Sequence, residues 1–374
     1  MSRVLGIDLG DRKSHYCVLN EDGLVIEEGS VPSTPVAFKA HFGVLESSLI
    51  ALEVGVHSRW ASRALSDCGH EVIVANSLRL QLIHKSTRKS DRADAAALAR
   101  LARVDPQLLS PVQHRSEEDQ AMLSVLRVRD ILVRTCTKLI NCTRGLVKPT
   151  GTRIPSCNAE CFANHARSAV PPELRLALDP LIEQIRSITN LIRRYDRKID
   201  RIARTQYPAT QILQQIRGVG SLTALGFVLT IGRSERLARS RNAGAYFGLR
   251  PRRYQSGESN PQLGISKEGD GFMRRLLVHS AQYILGPFGP DTDLRRWGES
   301  LIARGGRGAP CRAVVAVARK LAVLLRHLWV TGEEYVGHRG GIRSSPEQQN
   351  QTAGCKACFG VVIQQQSAQS SKPI

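Results

Sequence analysis

Apolar residues come in short runs through the first hundred positions and in helical spacing after that. Val4-Leu5-Gly6-Ile7-Asp8-Leu9-Gly10 is a short apolar strand with one carboxylate at its centre, and residues 15–19 read as a second strand. Glu21-Asp22-Gly23 is a hairpin turn with glycine as its permissive residue, and residues 24–28 form a third strand. A helix follows Pro35, and Leu49-Ile50-Ala51-Leu52-Glu53-Val54 is another buried strand. A helix over 58–67 leads to a strand over 71–75. The next stretch begins Lys89-Ser90-Asp91-Arg92-Ala93-Asp94 and continues in Ala and Leu to Arg103 without Gly or Pro, so it reads as one helix. Ser90 is its expected N-cap, and Asp91 and Asp94 lie on one face of its first turn, where negative charge suits the helix dipole.

From Ser116 to about Lys148 the apolar positions advance by alternating steps of three and four. Val125, Val128, Leu132, Thr135, Leu139, Cys142 and Leu146 fall on one predicted face. The prolines from Pro149 to Pro172 break this helix. A second one is expected after Pro180, with Leu181, Ile185, Ile188, Ile192, Tyr195, Ile199 and Ile202 on the same pattern. The pair predicts an antiparallel coiled-coil hairpin with a helix-pairing seam. Residues 212–224 read as an apolar helix, a Gly218-Val219-Gly220 turn and another helix. A later helix over 312–330 turns Val314, Ala318, Leu321, Leu325 and Leu328 to the core. From Arg339 the chain is rich in Gly, Ser and Gln and is expected to be disordered. The N-terminal order β-β-β-α-β-α-β-α is that of a ribonuclease H-like fold, a mixed sheet flanked by helices.

Charge sharpens this division. The chain of 374 residues has room for two or three domains and carries 53 Lys and Arg against 33 Asp and Glu, a net +20. Residues 1–105 hold 13 basic and 13 acidic side chains; the remainder holds 40 and 20 and so carries the whole excess. A neutral module joined to a cationic remainder implies a polyanionic partner, and nucleic acid fits best. No apolar run reaches the roughly 18–20 residues of a membrane span and no signal peptide is visible, which argues against a membrane role. Nine scattered cysteines do not form a disulfide framework. A soluble, cytoplasmic protein is expected. No Gly-x-x-x-x-Gly-Lys-Ser/Thr loop is present, so no ATP motor is expected.

Asp8 and Glu53 each sit in an otherwise apolar strand, where a charge is costly unless paired or bound to metal. A strand-end carboxylate reaching solvent is the plain alternative for each. With Asp91 and Asp94 they make four hard-oxygen donors suited to Mg²⁺, with Mn²⁺ as a substitute. Two such ions about 4 Å apart can clamp the attacking and leaving oxygens of a phosphodiester. Asp11 and Asp67 are assigned to turns or helix surface. The second predicted coiled-coil helix carries a dense basic face that includes Arg193, Arg194, Arg197 and Lys198. The Gly218 and Gly220 turn resembles a helix-hairpin-helix, whose backbone N–H groups approach phosphate, although a plain helix–helix turn reads the same way. Arg250, Arg252, Arg253, Lys267, Arg274 and Arg275 surround Ser256 and Ser266 in the sequence. Ser256, beside Gly257, is open between a turn serine and a nucleophile facing phosphate. Cys157-x-x-x-Cys161 and Cys355-x-x-Cys358 are half zinc sites without second halves.

Gly6-Ile7-Asp8, Leu52-Glu53-Val54-Gly55 and Lys89-Ser90-Asp91-Arg92-Ala93-Asp94-Ala95 resemble the DEDD motifs of the serine-type insertion-sequence transposases of IS family one-ten. Gly218-Val219-Gly220, Gly248-Leu249-Arg250-Pro251, Gln255-Ser256-Gly257 and Ile265-Ser266-Lys267-x-Gly269 resemble that family's C-terminal transposase domain. The likeness spans about residues 3–335 in the right order. Glu53-Val54-Gly55 departs from the commoner Glu-Ala/Ser-Thr-Gly but keeps the carboxylate.

The resemblance implies a RuvC-like DEDD domain over 1–105 and a coiled-coil linker and oligomerisation region over 106–206. A mainly helical transposase domain over 207–338 and a tail over 339–374 would follow. It implies a recombinase in which Asp8, Glu53, Asp91 and Asp94 hold Mg²⁺ and Ser256, ahead of Ser266, attacks the DNA and becomes linked to it. An element-encoded guide RNA, DNA of the element ends and target, and a homo-oligomer (dimer or tetramer) are the implied partners, in the nucleoid of a bacterial-type cell. Two other readings keep parts of this pattern. A junction-resolving nuclease would use the four carboxylates with water. A decayed nucleic-acid-binding protein would need none of them.

Overall fold

A computed structural model describes residues 3–77, 90–259, 261 and 263–338. Lys89, the tail beyond His338 and the Cys355-x-x-Cys358 pair lie outside the described residues. The chain divides into two compact units, Met1–Arg115 and Ser116–Ile374.

The first unit is built on a five-stranded mixed sheet of order β3-β2-β1-β4-β5. The strands are β1 (Val4–Asp8), β2 (Lys13–Leu19), β3 (Val25–Pro32), β4 (Leu49–Glu53) and β5 (Glu71–Ala75). β1 to β3 form an antiparallel meander, and β1, β4 and β5 run parallel. Helices α1 (Pro35–Phe42) and α2 (Ser58–Asp67) supply the crossovers. Among the described residues the predicted order of elements holds, and the helix over 58–67 and the strand over 71–75 have the predicted ends.

The alternation of strand residues sorts two cores. Leu5, Ile7, Tyr16, Val18, Ile50 and Leu52 pack with Phe38, Phe42, Ala61 and Leu65 of α1 and α2 on one face. The opposite face presents smaller residues, among them Gly6, Ala51 and Ala75, to α3 (Asp91–Val104). There Cys17 and Leu19 meet Ala95, Ala96 and Ala99. A β-carbon on Gly6 would lie 2.0 Å from the Ala95 carbonyl oxygen and 2.5 Å from the Ala99 nitrogen, so backbone rests almost on backbone. Gly6→Ala therefore forces α3 off the sheet, because neither contact is a side chain that can rotate away. A loss of at least about 2–3 kcal/mol is expected in denaturant unfolding of the full chain. Gly55→Ala, whose β-carbon meets nothing within 4 Å, is the neutral control. Equal stabilities would refute the close seating of α3.

The first unit extends beyond the boundary expected at 105. Leu109 is fully buried in the α3 core, its carbonyl accepts from Asn76 N–H, and Val112 N–H donates to the Val74 carbonyl. A short polar stretch with Pro106 and Pro111 conceals this edge pairing from a pattern reading.

The second unit is helical. Two long helices, α4 (Glu117–Val147) and α6 (Pro172–Gln206), run antiparallel. Arg129 pairs with Asp196 at 2.8 Å, and Cys136 meets Thr189. The sequence placed a break between them, but α5 (Ala159–Ala169) fills it and packs Phe162, Ala163 and Ala166 against both. α6 also starts eight residues before Pro180, with Pro172 in its first turn. Pro180 is carried inside it at the loss of one backbone hydrogen bond, which the apolar packing of Leu178 and Ile182 offsets.

The predicted seam of α4 is out of phase. The buried positions are Leu123, Leu126, Cys136, Ile140, Thr143 and Val147, while Val128, Cys142 and Leu146 are exposed. Apolar doublets such as Leu139-Ile140 and Leu146-Val147 satisfy both phases. Thr143 is admitted to the core because its hydroxyl donates to the Leu139 carbonyl. On α6 the expected Ile185, Ile199 and Ile202 are buried, and Leu181, Ile188 and Ile192 are half-buried.

The remaining helices are α7 (Ala209–Leu213), α8 (Ser221–Ile231), α9 (Asn242–Tyr246), α10 (Gly271–Leu285), α11 (Asp293–Ala303) and α12 (Ala309–Thr331). They close around α8, which is buried from Thr223 to Ile231, and the core face of α12. Among the described residues no helix is long and apolar enough to cross a membrane.

Candidate active site

Asp8 ends β1 and Glu53 ends β4, the adjacent parallel strand. Period-two alternation carries both to the face that meets α3, at the carboxyl edge of the parallel strands, where open α/β sheets form their sites. The third contribution comes from α3. Ser90 caps it, its hydroxyl accepting from Ala93 N–H at 3.2 Å, which fixes Asp91 and Asp94 in the first turn. The close approach at Gly6 then sets that turn beside the end of β1.

Asp8 reports the gathering. Its carboxyl is pushed up from 3.8 to about 6, first by burial and then by the charges of Asp91, Asp94 and Glu53, with His15 pulling the other way. The four sequence-predicted carboxylates thus share one electrostatic environment. Among the described residues, however, no three His, Cys, Asp or Glu side chains stand near enough together to hold a metal ion as they lie. The two findings differ in range, since charges repel over longer distances than ligand bonds span. What the four have in common is hard carboxylate oxygen, a donor type that fits a divalent cation.

His15 is the residue that the sequence reading passed over. It pairs with Asp8 across the β1–β2 ladder, and its Nε2 lies 3.6 Å from Asp91 Oδ2. Its Nδ1 is buried with no hydrogen-bond partner among the described residues. The signal was available, because His15, Cys17 and Leu19 alternate on the face that Asp8 shares. Asp11 is exposed and meets His57 at 3.4 Å, and Asp67 pairs with Lys39 at 3.1 Å, so both lie at the surface as expected.

Ser256 lies in the second unit, on an excursion between α9 and α10. Gly248 and Gly269, both with positive φ, anchor its base. A β-carbon on Gly248 would lie 2.1 Å from the Glu268 carbonyl oxygen, and one on Gly269 2.1 Å from that of Tyr246. Pro251 bridges Ile265 in antiparallel fashion, and Arg252 N–H donates to the Gly264 carbonyl. Farther out, Ser256 and Ser259 exchange backbone hydrogen bonds of 3.2 and 3.0 Å around a turn with Gly257 at φ +55. The Ser256 residue is exposed there, and its hydroxyl has no partner among the described residues. Ser266 differs: it is half-buried, and its hydroxyl accepts from Glu268 N–H at 3.4 Å.

The basic candidates separate in the same way. Arg250, Arg252, Arg253 and Lys267 are exposed along the excursion. Arg274 instead donates to the carbonyls of Phe247 and Glu268 at 2.9 and 3.0 Å and ties the base together. Arg275 pairs with Asp130 at 2.7 Å. On α6, Arg194, Arg197 and Lys198 are exposed, whereas Arg193 reaches Glu160 at 3.2 Å. Gly218 and Gly220 flank the turn into α8, Gly218 at φ +98. Cys157 and Cys161 are free thiols, the first near Arg144.

Residues 5–151 match the IS110 DEDD family model, described as a transposase. Residues 210–292 match a model described as the transposase IS116/IS110/IS902 family. The chain is 30% identical over 346 residues to the transposase for insertion sequence element IS1111A of Coxiella burnetii, covering 89% of this chain and 91% of that one. It is 28% identical to a probable family 20 transposase of Pseudomonas aeruginosa, over 80% and 88% of the two chains. Identity is also 28% with the transposase for insertion sequence element IS1328 of Yersinia enterocolitica, over 75% and 83%.

Proposed function

Because this chain belongs to the IS116/IS110/IS902 family of transposases, we propose that it cuts and rejoins DNA through a phosphoserine link made by Ser256. In this reading the first unit is ribonuclease H-like, and Asp8, Glu53, Asp91 and Asp94 form its metal-binding quartet. The observation that carries it is the convergence of the ends of β1 and β4 with the first turn of α3, where Asp8 is partly buried and within electrostatic range of Asp91, Asp94 and Glu53. A strand-end carboxylate merely reaching solvent would lack those neighbours.

The chemistry balances without nucleotide hydrolysis. The Ser256 hydroxyl loses its proton and attacks a backbone phosphorus; an Oγ–P bond forms as one P–O bond to sugar breaks, and the leaving oxygen takes up a proton. A hydroxyl of the incoming strand then attacks the same phosphorus, restoring a phosphodiester and returning Ser256 as the free alcohol. Each step exchanges one P–O bond for another. That accords with a sequence lacking an ATP-binding loop.

Mg²⁺ bound by Asp8, Glu53, Asp91 and Asp94 would supply positive charge to a transferring phosphoryl group and relieve the repulsion among the four carboxylates. The chain's own cations act alongside. Arg250, Arg252, Arg253 and Lys267 give the Ser256 excursion a polyanion-binding surface, and the exposed Arg194, Arg197 and Lys198 of α6 give another. An element-encoded guide RNA and assembly as a homo-oligomer complete the proposal. Arg274 supports the base of the excursion through the Phe247 and Glu268 carbonyls, and Arg275 is engaged with Asp130 of α4.

The test is expression with the flanking element DNA, sequencing of RNA that co-purifies, and donor–target joining in Mg²⁺. A defined RNA and a protein–DNA adduct trapped on nicked substrates support the reading. Joining without any adduct would leave a metal-dependent nuclease that uses water.

A further inference from the structure

One residue at the edge of the quartet has no part in the chemistry set out above. His15 lies on β2, between β1 and β3, so its backbone is paired on both sides. It faces Asp8 across the β1–β2 ladder, and Ser14 and Cys17 on either side of it are fully buried. From this rigid strand the ring reaches α3, where Nε2 lies 3.6 Å from Asp91 Oδ2. Among the described residues His15 is the one basic side chain at ion-pair distance from Asp91.

Burial selects the tautomer. Nδ1 is buried and meets no partner among the described residues, so a proton placed there would be a donor left unmade. A proton on Nε2 faces a carboxylate instead. Neutral His15 is therefore an Nε2–H donor beside Asp91. Asp91 gains most from such a neighbour. Its side chain is 69% exposed on the first residue of α3, and the cap of that helix is already supplied by Ser90. An exposed carboxylate that must hold one rotamer to act as a ligand loses conformational entropy, and a donor on a fixed strand lowers that loss.

We propose that His15 is a positioning residue for the carboxylate quartet: its Nε2–H holds one oxygen of Asp91 and leaves the other to a divalent cation. The proposal rests on the reading of Asp8, Glu53, Asp91 and Asp94 as metal ligands. His15 is no ligand in this arrangement and acts through Asp91 alone. The 3.6 Å gap exceeds a hydrogen bond, and a small turn of the Asp91 side chain closes it.

Mn²⁺ binding to the full chain is the test, read from the free-ion electron paramagnetic resonance signal, with Mg²⁺ measured by competition. Asp8→Asn reports on the quartet itself. His15→Ala should weaken both ions by roughly 10- to 100-fold, the usual effect of removing the partner that orients a ligand. His15→Gln keeps an N–H near the place of Nε2 and should bind close to wild type. Melting temperatures in EDTA should agree between the Ala and Gln variants, which separates positioning from folding.

Wild-type affinity in His15→Ala, beside an Asp8→Asn that has lost it, overturns the positioning role and leaves the quartet standing. A Gln variant as weak as the Ala variant overturns it too. Loss of Mn²⁺ with Mg²⁺ retained does the same, since it would make the imidazole a ligand, a donor type that suits Mg²⁺ poorly. A lower melting temperature in EDTA for His15→Ala alone makes the histidine structural and also overturns the proposal. A wild-type chain that binds neither ion, or an Asp8→Asn that binds as wild type does, removes the quartet reading together with this one.

Discussion

Ser256→Ala is expected to lower donor–target strand joining by at least about a thousandfold while leaving melting temperature unchanged. Loss of a covalent nucleophile usually costs that much or more, because the remaining groups can only bind and polarise. The thermal neutrality follows from position. Ser256 is exposed on a turn held by its backbone, and its hydroxyl makes no contact that folding would lose. The trapped protein–DNA adduct should vanish along with joining. Ser266→Ala serves as the contrast, since its hydroxyl accepts a hydrogen bond from Glu268 N–H within the excursion. That variant should retain the adduct and lose a modest part of the rate. Joining that survives Ser256→Ala and is lost in Ser266→Ala would transfer the nucleophile; joining that survives both would hand it to water.

Asp8→Asn should act in opposite directions on catalysis and on stability. Joining in Mg²⁺ should again fall by at least about a thousandfold, because one of four anionic oxygen donors becomes a neutral amide. Stability of the metal-free chain should rise at pH 8. Folding raises the Asp8 carboxyl from 3.8 to about 6, so the folded state binds the proton more tightly than the unfolded state does. The stabilisation from that proton is complete below about pH 4 and is lost as pH rises through about 6. Above that, wild type carries an ionised Asp8 that is partly buried and also faces three like charges, a cost of order 1 kcal/mol once solvent screening is allowed for. The amide carries none of it. Melting curves in EDTA from pH 4 to pH 8 should therefore show the variant overtaking wild type across that window. A difference that stays flat with pH, or a variant less stable at pH 8, would contradict the gathering of the four carboxylates.

The first unit was the more legible of the two. Its strands are short apolar runs set off by turn residues, so the elements and the two strand carboxylates Asp8 and Glu53 could be found in the sequence, whereas the face they share needed the register of the sheet. The Ser90 cap worked for the same reason, since Ser followed by an unbroken Ala and Leu run has one sensible start. His15 was missed because an isolated histidine carries no weight until β2 is in register with β1. The second unit resisted where several phases or partners were equally consistent. α4 offers apolar residues on adjacent faces, and its true phase depends on α6, which lies more than forty positions away in places. α5 was hidden between flanking prolines and a glycine, although its own span contains neither. Arg274 and Arg275 look like Arg250 and Arg252 in the sequence. Only the fold turns one to backbone carbonyls and the other to Asp130.

The seating of α3 on Gly6 also governs how a copy of this gene can decay. Every single-nucleotide missense change in a glycine codon adds at least a β-carbon, and here even that atom has no room. Gly6 is therefore a codon without a mild allele. Copies of a mobile element drifting free of selection would lose the Asp91 and Asp94 turn by a substitution at Gly6 as surely as by one at either aspartate. A reading frame in which all four carboxylates survive can thus encode an inert protein, and an inventory of intact copies that scores only the acidic residues would count it as active.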